Sequence, residues 1–139
     1  MIPSITVQEG LIYLMVTMSA VDRHMDDKEL ARIGRLVQFW PVFDQFDEAD
    51  IMPAAQTCHE LLSEPEGLDI VLEIIKEVVP QRLHDTAYAI GVEIASADYD
   101  VKVEEIRLLQ LLRDRLGLDK LTCAALERSA IARYRNASS

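Results

Sequence analysis

At 139 residues, half of them hydrophobic, the chain is long enough to bury a core without a disulfide or structural metal, and general disorder is excluded. Its 24 acidic against 14 basic residues leave a net charge of −10, which argues against nucleic acid and anionic membrane as partners, since both need Lys and Arg to neutralise phosphate. A divalent cation or a basic protein suits that charge better.

The elements follow in order. Thr6 and Glu9 have capping-box spacing, so a helix opens at Val7 and runs to about Val21. Leu11, Ile12, Leu14, Met15, Val16 and Met18 make it apolar on most sides, as a central helix must be. Asp26 and Glu29 form a second capping box, opening a helix with Leu30, Ile33, Leu36 and Val37 on one stripe. Pro41 stops it. Phe39, Trp40, Val42, Phe43 and Phe46 then crowd together, either plugging one end of the core or forming a patch for another protein, a homodimer partner included. A third helix runs from about Glu48 or Asp50 to Leu62, and Glu64 to Gly67 is a turn. A fourth spans Leu68 to Val79 and ends at Pro80. A fifth covers about Arg82 to Ala97, with Gly91 inside it as a close contact with the first helix. A sixth spans about Val103 to Leu116. Gly117 stops it, and Asp119 caps a seventh that reaches about Tyr134. The expected fold is all-α: one domain over 1–139, a bundle of about seven helices.

Two stretches, about 11–37 and 87–113, share a pattern of apolar residues around an acidic turn. Asp22 corresponds to Asp98, Glu29 to Glu105, and Met25 to Val101. Asp22 and Asp98 stand near the C-terminal ends of helices, where negative charge is unfavourable, so a compensating donor or cation is expected there. A hard divalent cation takes oxygen ligands. Asp98, Asp100 and Glu105 form the candidate set in the second turn, and Asp22, Asp26 and Glu29 in the first. The competing reading is plain helix capping and dipole compensation by Glu29, Glu104 and Glu105. The pattern is not an EF-hand: Lys102 occupies the fifth loop position, no Gly stands at the sixth, and the acidic residue falls at the eighth.

With these residues in view the chain resembles the TerB family of tellurite-resistance proteins and their relatives. The resemblance rests on Ser19-Ala20-Val21-Asp22 and Ala95-Ser96-Ala97-Asp98, on the downstream Glu29 and Glu105, and on Leu116-Gly117-Leu118; it spans about Val7 to Ala132. It implies an all-α domain of about seven helices from two related halves, acidic turns suggested to bind metal, and an association with tellurite and other chemical stress. Family domains often act beside membrane-associated partners. Arg23 and Tyr99 replace the Gly that commonly follows the Asp, and Arg23 weakens the first turn as a cation site, which favours the second.

Little else in the sequence suggests chemistry. Cys58-His59-Glu60 are helix neighbours pointing about 100° apart, which reads as a core cysteine beside two surface residues. His84-Asp85 reads as cap and turn chemistry. No phosphate-cradling Gly-rich loop and no zinc-protease motif is present. The two cysteines, Cys58 and Cys123, make neither a disulfide framework nor a zinc signature. No run approaches the roughly 20 apolar residues of a membrane span. The start of the chain lacks the pattern of a secretory signal, so a cytoplasmic location is expected. The expectation is therefore a non-enzymatic stress protein whose acidic turns bind a divalent cation (calcium, magnesium or zinc). The alternative is a metal-free interaction module using its acidic face or the Phe39–Phe46 patch.

Overall fold

A computed structural model of the protein describes residues 4–20, 27–96 and 103–138. Seven α-helices occur there: α1 (Val7–Ala20), α2 (Asp27–Phe39), α3 (Ile51–Leu62), α4 (Gly67–Val78), α5 (His84–Ser96), α6 (Val103–Leu116) and α7 (Lys120–Arg133). Short 3₁₀ turns at Pro41–Phe43, Glu48–Asp50 and Gln81–Leu83 connect them, and no strand is present among the described residues.

Local chemistry sets several helix ends. Thr6 and Glu9 close a reciprocal box, the Thr6 amide donating to Glu9 Oε1 at 2.9 Å and the Glu9 amide to Thr6 Oγ1 at 3.1 Å. Asp47 accepts from the Ala49 amide at 2.9 Å, opening the 3₁₀ turn that leads into α3. Gly117 takes φ +68°, a left-handed conformation that glycine tolerates without penalty. Its amide and that of Leu118 return to the carbonyls of Asp114 (3.2 Å) and Arg113 (3.2 Å), closing α6 with a Schellman motif. Asp119 then caps α7 by accepting from the Thr122 amide at 2.9 Å.

The middle of the bundle is α1, buried on every side from Gly10 to Ser19. It packs on α3, α4 and α5, while α5 also holds α6 and α7. The largest wholly enclosed side chains include Tyr13, Ile12 and Met15 of α1 with Tyr88 and Ile90 of α5. The outer helices contribute one stripe each, Ile33 and Val37 from α2 and Leu108, Leu112 and Leu116 from α6. Gly91 lies between two helices, the expected α1 and also α6. A Cβ there would stand 3.3 Å from Leu109 Cδ2 and Leu112 Cδ2 of α6 and 4.0 Å from Met18 Cγ, so α6 is the helix brought closest.

The aromatic cluster divides. Phe43 is buried and meets Phe46 edge-on at 6.1 Å; Trp40 and Phe46 lie against the core, and Phe39 is exposed. His84 does more than cap. It is buried, with Nε2 2.9 Å from the Val79 carbonyl oxygen and Nδ1 3.3 Å from that of Leu116, so it ties the ends of α4 and α6 to the start of α5. Asp85 does serve its own turn, accepting from the Thr86 amide at 2.7 Å.

Candidate functional site at the helix junctions

The two acidic turns connect a buried helix to an outer one, α1 to α2 and α5 to α6. Asp22, Asp26, Asp98 and Asp100 lie outside the described residues, as do His24, Arg23 and Tyr99. Glu29 and Glu105 are described, and each occupies the first turn of its outer helix.

Helix-dipole compensation requires only that these carboxylates stand near the helix start, in water. The structure places them otherwise. Glu105 is 9 % exposed, and Oε2 of the partly buried Glu29 is shut off from solvent. The first turn of α6 is inverted as an amphipathic helix: Glu105 points inward while Val103 (77 % exposed) and Ile106 (47 % exposed) face out. Glu104, its neighbour, is exposed as the dipole reading expects. A carboxylate withdrawn from water is costly unless hydrogen bonds or opposite charge hold it. Such a local rule broken against propensity and pattern marks a functional or strained position.

At the end of α1, Ser19 Oγ is buried with no hydrogen-bond partner among the described residues. Two cavities, of about 320 and 560 Å³, flank Ala20, the last residue of α1, and His59 of α3 lines both. The sequence draws attention to His59 only through its neighbours Cys58 and Glu60, and nothing in it connects His59 with the end of α1. The donors at both junctions are hard oxygen groups, which in chemical character fit a divalent cation. Among the described residues no three His, Cys, Asp or Glu side chains gather into a metal-binding group.

The thiols are not reactive centres. Cys58 is fully enclosed, with Sγ 3.6 Å from the Tyr13 carbonyl oxygen and 3.8 Å from Thr17 Oγ1. Burial pushes its thiol up to about 12, so it stays protonated at neutral pH and is a poor nucleophile. His59 and Glu60 beside it are exposed.

Polar pairs also fasten the outer helices. Arg115 of α6 reaches Asp69 at 2.9 Å and Glu73 at 3.3 Å on α4. Tyr88 of α5 donates to Glu127 of α7 at 2.5 Å, while Arg133 and Tyr134 both engage Glu93.

The family model described as Tellurite resistance protein TerB matches residues 8–128. No curated protein and no solved structure matches the chain.

Proposed function

The chain belongs to the TerB family, and we propose that it works there as a non-enzymatic, stress- or tellurite-resistance-type protein that holds a divalent cation at its acidic helix junctions. The observation carrying this reading is the inward placement of Glu105 beneath outward-facing Val103 and Ile106. Glu29 supports it from the matching position on α2. Glu105 with Asp98 and Asp100 would form one oxygen donor set, and Glu29 with Asp22 and Asp26 the other. These carboxylate oxygens are the hard donors that a divalent cation takes, and set at the helix junctions they would hold and orient it.

Thermal melting with magnesium, calcium and zinc added in turn tests the reading. A cation at about 100 times its Kd stabilises by about 2.7 kcal/mol. At about 2.1 cal/mol/K per residue, the unfolding entropy of a chain this size makes that a rise of about 9 °C. Glu105→Gln should remove the rise and Glu104→Gln should keep it. If no metal moves the melting temperature, or if the rise survives Glu105→Gln, the reading is wrong.

A further inference from the structure

The negative charge is distributed unevenly. Between Arg35 and Lys76 there is no Lys or Arg, while nine Asp and Glu occur, nearly the whole net charge of −10. Asp69 and Glu73 within that stretch are met by Arg115. Asp44, Asp47, Glu48 and Asp50 are all exposed, and none has an ion-pair partner among the described residues.

These four follow directly on the Pro41–Phe43 turn, and that turn is one wall of a large groove. The groove has a volume of about 1110 Å³, opens to solvent, and runs between the start of α1, the Trp40–Val42 segment, the start of α5 and one face of α7. Trp40, Val42, Leu83, Leu121, Ala125 and Leu126 give it an apolar lining. Leu121 is 80 % exposed. Helix α7 rests chiefly on α5, through buried Cys123 and Ala130, which leaves its Leu121–Ala125 face to the groove. Gln8 donates from Nε2 to the carbonyls of Val42 (3.2 Å) and Asp44 (3.0 Å), so the acidic segment is pinned at the rim. Asp85 lies in the lining and Asp119 caps the helix that forms one wall; Arg82 is the single cation among the lining residues. The volume exceeds the roughly 300–1,000 Å³ of small-ligand pockets, and the groove is open rather than enclosing.

An apolar trough beside an uncompensated acidic segment matches one kind of occupant. We propose that this groove receives a cationic amphipathic helix of a partner protein. Its apolar face lies on Trp40, Val42 and Leu121, and its basic residues meet the carboxylates at 44–50. This surface is separate from the helix junctions and does not depend on a bound metal.

Trp40 is the only tryptophan in the chain, so its emission reports occupancy directly. A short Leu/Lys peptide designed as an amphipathic helix is titrated into the full chain. A scrambled peptide of the same composition and a Leu/Glu helix serve as controls. The expected result is a saturable blue shift of Trp40 emission with the Leu/Lys helix alone, weakening as salt rises. Leu121→Lys should weaken binding roughly tenfold, the size of one lost interface anchor, with the melting temperature unchanged. Equal binding of the scrambled peptide, an unmoved Trp40, or full affinity in Leu121→Lys would each overturn the proposal. So would an emission shift that depends on protein concentration without peptide, because the occupant would then be a second copy of the chain.

Discussion

Alkaline titration tests how completely the bundle encloses its thiols and phenols. Burial raises the Cys58 thiol from 9.0 to about 12 against a lowering hydrogen bond from Thr17. Burial and then the bond to Glu93 raise the Tyr134 phenol from 10.0 to about 12. Tyr88 shifts upward for the same reasons, burial first and Glu127 second. In each case the folded state keeps a proton that the unfolded chain has already released. The associated stability is therefore complete below the unfolded value and is lost as pH climbs towards the folded one. For Cys58, three pH units at about 1.4 kcal/mol each amount to about 4 kcal/mol lost between pH 9.0 and about 12. The two phenols add to the slope above pH 10.0. Against a total stability of about 5–15 kcal/mol, the fold should fail near pH 11 to 12. Helical circular dichroism melts at stepped pH measure the loss, and in a Tyr99→Phe variant, which leaves only the three tyrosines with raised values, tyrosinate absorbance should rise together with unfolding. Cys58→Ala should flatten the slope between pH 9 and 10, where thiols titrate and phenols do not. A melting temperature flat to about pH 11, or tyrosinate forming near its ordinary value of about 10 while helix persists, would refute the reasoning.

Two glycines should respond oppositely to alanine. At Gly34, inside α2, a Cβ meets nothing within 4 Å, so Gly34→Ala should stabilise by about 1 kcal/mol, a gain of about 3 °C in a thermal melt. At Gly67 the same Cβ would fall on the Leu61 carbonyl oxygen and within 2.8 Å of Leu62 Cα. Gly67→Ala should therefore cost about 2–3 kcal/mol in urea unfolding. Asp119→Ala removes the α7 cap at a cost of about 1 kcal/mol, and the Thr122 amide should exchange hydrogen faster.

What could be read from the sequence was chemistry decided within a few residues. The Thr6–Glu9 box, the Gly117 stop, the Asp119 cap and the limits of α6 need only neighbouring backbone, and all four stand as expected. The family was legible too, through the short segments Ser19-Ala20-Val21-Asp22 and Ala95-Ser96-Ala97-Asp98. The direction in which Glu105 points was not, because a helix-start glutamate faces water or interior according to how its helix is set on α5 and α4. Gly91 shows the same limit: spacing predicts a close approach to α1, and packing adds a closer one to Leu109 and Leu112 of α6. The Lys- and Arg-free stretch is plain in the sequence, yet it acquires meaning only where Trp40 and Val42 face Leu121 across about 80 intervening residues.

The unequal burial of the helices on either side of each junction has a mechanical consequence. Helices α1 and α5 are gripped on nearly all sides, whereas α2 fully buries only Ile33 and Val37 and covers a second group of side chains, Leu36 among them, in part. Helix α2 should therefore open locally before α1 or α5 does, and its amides should exchange hydrogen first.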